Sequence, residues 1–349
     1  MAHELQSERV ATAGPVEAIE AYFERGWTDG LPVMPPTPDR VAEFLDAAGV
    51  PPDDVIGAIP TREVVITAEK VAINAVMAGC LPEYMPVVIA AARAMCEEPF
   101  NLHANSGTLS GAAQIIVVNG PLRRDLEINC RDGVFGPGFR ANATIGRALR
   151  LVIRNVARSV PGFLDRASFS NPARYTWCFG ENEEESPWTP LHVERGLALE
   201  ASAVTLFAVM DPVKVTGLHP QRPEEFLDRA AALVRTVWTY AQTSSFDTCR
   251  SLLVVVGGEH MDMTAQAGWS KDDIRHYLFP KLRAPQSGYE VPSPIASADK
   301  ILIVAAGGRA MAQSWFMVPF PSHCPVTQEV QPPRAQQGPR GAGNEGKST

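Results

Sequence analysis

The chain has 349 residues, 45% of them hydrophobic and 20% charged, with 31 basic against 39 acidic side chains for a net charge of -8. That apolar content excludes disorder over most of the chain, and the length provides for one large or two medium domains. The acidic balance disfavours a nucleic-acid groove, and the longest apolar runs, 115–118 and 252–256, are far short of the roughly eighteen residues that cross a bilayer.

Residues 1–14 contain no basic stretch followed by an apolar one, so they read as a flexible leader and the protein as cytoplasmic. Helix signals begin over 15–25 and recur after Thr37-Pro38-Asp39, where Thr37 is placed to cap and Pro38 suits the first turn. Between them, 26–37 (GWTDGLPVMPPT) is too rich in Gly and Pro for regular structure and reads as an ordered loop anchored by Trp27, Asp29 and Pro32. A helix capped by Thr67 breaks at Gly79-Cys80, and a further one is expected over 82–95. Residues 114–118 read as a buried strand. A glycine-rich loop, 128–147, then feeds a long helix over 144–160, spacing Arg147, Arg150, Arg154 and Arg158 along one face. This face is either solvated, or its loop-proximal members, Arg140 and Arg147, bind an anion.

Segment 171–196 is irregular, aromatic and acidic. A strand over 204–210 and an amphipathic helix over 223–242 follow. Two β-branched runs, 251–256 and 300–306, each end in Gly-Gly, and the first leads into a helix capped by Ser270. The expected fold is α/β: a mixed or mostly parallel sheet with flanking helices and long Gly/Pro-rich loops. The expected organisation is a loop-rich region 15–200 carrying the main site, a region 201–325 with the two strand-Gly-Gly units, and a disordered tail 326–349. The six cysteines, Cys80, Cys96, Cys130, Cys178, Cys249 and Cys324, show no CxxC spacing and read as reduced thiols.

The signatures of P-loop, zinc-protease and serine-hydrolase sites are absent, and Pro137 interrupts any dinucleotide fingerprint at 135–138. Three constellations remain. Cys80 lies in a turn before a helix start, where terminal amides can stabilise a thiolate; the alternative is a packed core thiol. The 128–147 loop delivers Asn129, Cys130, Arg131, Arg140, Asn142 and Thr144 to a helix N-terminus, either as a carboxylate or phosphate site or as a simple cap. The third runs from Glu181 through Glu183 to Trp188, His192 and Glu194; it offers acid/base groups, a His–x–Glu metal pair or a solvated charge run. His260, just beyond a strand-terminal Gly-Gly, stands where α/β sites form, and His103 is a weaker acid/base candidate.

GWTDGLPVMPPT, EKVAINAVMAGCLPEYMPVV, FNLHANSGT, GPGFRANATIGRALRLVIRNV, FGENEEESPWTPLHVERG and GWSKDDIRHYLF together resemble a poorly characterised bacterial family that accompanies, or is fused to, UGSC-motif (seleno)proteins. The resemblance covers about residues 20–310. It implies a cytoplasmic enzyme or enzyme subunit of thiol- or sulfur-linked metabolism. The pattern carries over at Trp27, Asp29, Gly30, Cys80, Pro82, Glu83, Asn119, Gly136, Arg140, Asn142, Thr144, Arg147, Glu181, Asn182, Glu183, Trp188, His192 and Glu194. It departs at Cys130-Arg131, where Ser-Gly is the commoner pair, and the UGSC sequence itself is missing, so selenium or vicinal-thiol redox chemistry does not transfer.

The leading expectation is an enzyme acting on a small anionic metabolite, with C–S bond formation or cleavage as its chemistry. Cys80 serves as nucleophile or thiol acid/base beside a histidine, and Glu181, Glu183, His192 and His260 move protons. Arg140 and Arg147 orient the substrate, with Trp27, Asp29, Asn105, Asn119, Cys130, Asn142, Thr144 and Trp188 as further contacts. No cofactor is expected, although a divalent metal on His192 and Glu194 defines an alternative lyase or hydrolase. A further alternative is a non-catalytic subunit that binds a redox or (seleno)protein partner through loop 26–37. Neither nucleic acid nor membrane is expected as a partner, and a homo-oligomer is expected on base rates.

Overall fold

The computed structural model describes residues 4–217, 222–238, 250–283 and 295–331. An N-terminal helical layer is built from α1 (Pro15–Glu24), α2 (Pro38–Ala48), α3 (Ala68–Ala78), α4 (Met85–Cys96) and α5 (Leu102–Ser106), with a small hairpin of β1 (Val55–Ile59) and β2 (Val64–Thr67). Local chemistry sets the ends of these helices. Thr67 accepts the Lys70 amide to start α3, and Gly79 closes it in the left-handed region at φ 88°. Thr37 makes no cap bond; Pro38, with its fixed φ, starts α2 instead. The helix expected over 82–95 begins as a 3-10 turn, Pro82–Tyr84, before α4.

The remaining elements are β3 (Ala113–Asn119), α6 (Pro121–Asp125), α7 (Arg140–Leu151), β4 (Cys178–Gly180), α8 (Leu191–Glu194), β5 (Ala203–Thr216), α9 (Pro223–Val237), β6 (Leu252–Val256), α10 (Gly258–Gln266), α11 (Lys271–Leu282), β7 (Ile301–Ala305), β8 (Gln313–Pro319) and β9 (Val326–Glu329). Strands β3 to β9 form one seven-stranded sheet of order β4-β3-β5-β8-β6-β7, with β9 also on β5. The pairing is mixed. β4 on β3 and β7 on β6 are parallel; β5 runs antiparallel to β3, β8 and β9, and β8 antiparallel to β6. The two strands that end in Gly-Gly are therefore parallel neighbours, with Val256 opposite Ala305.

The sheet curls until its ends meet. Asn182, just past β4, donates its amide to the Ala305 carbonyl at the end of β7, at 2.7 Å. Alternation along each strand then supplies two packed faces. Ile115, Val117, Phe179, Phe207, Val255 and Val304 form one cluster, into which the 128–139 loop inserts Phe135. That ring lies edge-on to Trp177, Phe179 and Trp315 at 5.1 to 5.6 Å. On the other face, Ile116, Val118 and Leu206 pack under the N-terminal helices, and Val254, Ile303 and Phe316 under α9 and α11.

Several expectations change. The sheet draws β3 and β4 from before residue 200 and β5 to β9 from after it, so no structural division falls there. Residues 326–329 are not tail: β9 hydrogen-bonds along the edge of β5, Ala203 opposite Glu329. The leader is tied down, because the Gln6 and Ser7 amides donate to the Glu69 carboxylate at 3.0 and 2.8 Å. The long helix over 144–160 is α7 followed by a π-helical turn, Val152–Val156. Cys80, Cys96, Cys130 and Cys178 are free, but Cys324 is disulfide-bonded, which corrects the reading of six thiols; Cys249 lies outside the described residues, as does the helix expected beyond 238. No helix among the described residues is long and apolar enough to cross a membrane.

Candidate functional site

Cys80 belongs to the end of α3, its amide bonded to the Ala75 carbonyl at 3.1 Å. This is the carbonyl end of a helix, whose dipole opposes a thiolate. Burial pushes the thiol up to about 12, outweighing the hydrogen bond from Thr144 and the charges of Arg140 and Arg147. None of these neighbours is a histidine. The activated-thiolate reading of Cys80 therefore loses both its supports, and the thiol packs as part of the core.

The arginines expected to bind an anion fasten the backbone instead. Arg140 donates twice to the Gly79 carbonyl, at 3.0 and 3.1 Å. Arg147 makes a two-pronged pair with Asp29, both bonds 2.8 Å, and also bonds the Pro32 carbonyl at 2.9 Å. This pins loop 26–37 to α7 and holds Asp29 below the usual carboxylate range, against the upward push of burial. Arg150 is buried against Gln114 and the Arg174 carbonyl, and Arg154 reaches the Gly26 carbonyl. Only Arg158 stays exposed, so the row is not a solvated basic face. Trp27 lies on the same loop, at α7's far end. Asn105 is a core residue whose amide ties Phe100 and Gln114.

The second constellation does converge with the third. Asn142 clamps the Asn129 backbone with two bonds, at 2.8 and 2.9 Å, and so sets the start of the 128–139 loop. One residue on, the Cys130 carbonyl accepts the Gly307 amide at 2.9 Å, docking the loop on the end of β7. The Cys130 thiol accepts a hydrogen bond from the Arg123 guanidinium at 3.3 Å, and that guanidinium also pairs with Glu184. Burial raises the thiol above its ordinary value, while Arg123 draws it back. Around this core, Glu185 pairs with Arg131 at 3.1 Å and with Arg309, which is itself held by Asp262 at 2.8 Å. Gly308 leaves room for Asp132, since a Cβ there would collide with its carboxylate.

The Glu181 carboxylate lies immediately beneath, wholly buried. Asn119 donates to it at 2.6 Å and the Leu191 amide at 2.8 Å, while Lys271 stands 3.7 Å away. Burial raises its pKa against those three stabilising contacts. Asn119 also reaches Glu183, which accepts the Gly120 amide. Five polar atoms in this region have no hydrogen-bond partner: Asn119 Oδ1, Arg123 Nε, Glu181 Oε1, Asn182 Oδ1 and His192 Nδ1. Natural proteins rarely leave such groups empty without a use for them.

The remaining expected residues take structural parts. Glu194 is occupied by Lys271 and Arg275, each at 2.9 Å, and His192 directs Nε2 to the Leu199 carbonyl at 3.3 Å, so the pair does not form a chelate. Among the described residues no group of three or more His, Cys, Asp and Glu side chains could hold a metal ion. Trp188 is anchored through its indole N–H to Trp269. His260 stacks on Phe226 and meets Ser314 at 2.8 Å; burial lowers its pKa to about 4. His103 accepts from Arg62 at 3.4 Å on the helical layer. The sequence pattern did not single out Arg123, Lys271 or Arg309. Arg309 directly follows the second Gly-Gly, a usable signal, whereas Lys271 looks like any first-turn helix residue.

Comparison with protein-family models and with curated protein sequences gives no match for this chain.

Proposed function

We propose that the chain is an enzyme acting on a small anionic metabolite by thiol-linked chemistry, with Cys130 rather than Cys80 as the reacting thiol. The observation that carries this reading is the buried Arg123 guanidinium shared by the Cys130 Sγ and the Glu184 carboxylate. The cation held against this thiol favours its thiolate and offsets part of the burial that leaves Cys130 above its ordinary value. The carboxylate on the same cation stands ready for the released proton. Arg131 and Arg309, which meet on Glu185 beside this thiol, are the cations nearest to hand for an anionic substrate that exchanges with that carboxylate. Formation or cleavage of a C–S bond is the reaction this arrangement serves best, and the resemblance of the motif run points the same way.

The test is alkylation of the native protein with iodoacetamide and with iodoacetate, mapped by peptide mass spectrometry. Cys130 is expected to react first, with a higher iodoacetate-to-iodoacetamide rate ratio than Cys96, and Cys80→Ala is expected to leave this unchanged. Arg123→Met should slow Cys130 by about tenfold, the equivalent of one pKa unit of lost thiolate. Preferential labelling of Cys80, or a Cys130 no faster than Cys178, overturns the assignment.

A further inference from the structure

A cavity of about 770 Å³ lies in the N-terminal layer, well within the size range of small-molecule sites. It shares no lining residue with the Cys130 cluster, so a ligand bound here is independent of the thiol reading. Its roof is the strap of residues 5–12, held down where the Gln6 and Ser7 amides bond Glu69 and where Lys70 Nζ donates to Ser7 Oγ at 3.1 Å. Its body is apolar and aromatic: Tyr22 from α1, Trp27 from the 26–37 loop, Val41 from α2, and Ile73 and Met77 from α3. The aromatic wall is fixed from behind. Asn155 donates to the Trp27 carbonyl and to Asn74 Oδ1, both at 2.8 Å, and the Trp27 ring sits edge-on to Tyr22 at 5.5 Å.

Charge gives the cavity a sign. Four cationic side chains line it (Arg9, Arg25, Lys70 and Arg158) against three carboxylates, Glu8, Glu63 and Glu69. Glu69 has both oxygens turned to the strap amides, and the lining as a whole carries one more cation than carboxylate in a protein of net charge -8. Arg25 lies 5.0 Å over the Trp27 ring, and Arg9 and Arg158 have no ion-pair partner among the described residues. A cation beside an apolar wall suits a ligand with a hydrocarbon or aromatic body and one anionic head.

We infer that this cavity is a binding site for a small organic anion with an apolar body, such as a medium-chain or aryl carboxylate, seated beside the N-terminal strap. The test is calorimetric titration of the full chain with octanoate, and with acetate and octylammonium as matched probes. Octanoate is expected to bind once per chain with a dissociation constant below about 1 mM, while acetate and octylammonium do not saturate in that range. Ala21→Trp, which fills the cavity from the half-buried face of α1 that lines it, is expected to abolish binding while the unliganded melting temperature stays near that of the parent. Arg25→Ala with Arg158→Ala should weaken octanoate about tenfold. Octylammonium binding as tightly as octanoate, octanoate binding that survives Ala21→Trp, or no saturable octanoate binding overturns the inference.

Discussion

The N-terminal helical layer and the closed end of the sheet both bury charged groups, but they treat them differently. In the helical layer, polar side chains are spent on backbone carbonyls. Arg62 bonds those of Ala157, Leu102 and His103, Arg140 that of Gly79, and Arg147 grips Asp29 and the loop around it. At the sheet end, Glu181, Asn119, Asn182 and His192 keep atoms without partners, and Arg123 divides itself between a thiol and a carboxylate. The two thiols repeat the contrast, Cys80 among packing and Cys130 among charges. Arg154 and Arg174 also keep a buried nitrogen without a partner, so the contrast lies in what the bonded atoms hold: backbone in the helical layer, and a thiol and carboxylates at the sheet end.

The sharpest way to break this contrast is Lys271→Met. It leaves the Glu181 carboxylate buried without its nearest cation, and should cost about 3 to 5 kcal/mol in urea unfolding at neutral pH. Adding Glu181→Gln should recover part of that loss; no recovery would mean that Lys271 acts only through Thr189 and Glu194. Arg147→Met is the matching change in the helical layer. It should cost about 2 kcal/mol by releasing the Asp29 loop, yet leave the Cys130 alkylation rate as it was. A slowed Cys130 would show that the two regions are coupled.

A further effect concerns pH. His260 is held neutral by burial, with its pKa lowered from 6.5 to about 4. Its contribution to stability is complete above about 6.5 and drains away as the pH falls from there through 4, because the unfolded imidazole takes up its proton first. Chemical denaturation across that window should show a shallower acid loss in His260→Asn than in the parent. An equal slope in both would place the acid sensitivity elsewhere.

Much of this was legible along the chain. The alternation and β-branched runs of 113–119, 252–256 and 301–305 marked buried strands, and the Thr67, Gly79 and Ser270 signals marked helix ends, because caps and side-chain periods are local chemistry. The 128–147 loop and the acidic run after Phe179 stood out for the same reason: glycines and charges concentrated in a few residues. Local signals also misled. Cys80 looked like a thiol at a helix start, but hydrogen bonding placed it at the end of the preceding helix and packing buried it.

What the sequence by itself determined was which stretches form strands and helices, and which loops carry polar chemistry. Only the tertiary structure decided that the sheet closes on itself, which sets Asn182 on Ala305 and Cys130 on Gly307 across more than a hundred residues of chain. Long-range packing also gave Glu181 its lysine, whereas Arg123 meets the Cys130 thiol only seven residues along the chain. Such packing also turned an apparently loose leader into the roof of a cavity. Secondary structure follows from contacts a few residues apart. A charge's partner and a thiol's burial depend on which distant segments the fold brings alongside, and no local pattern records that.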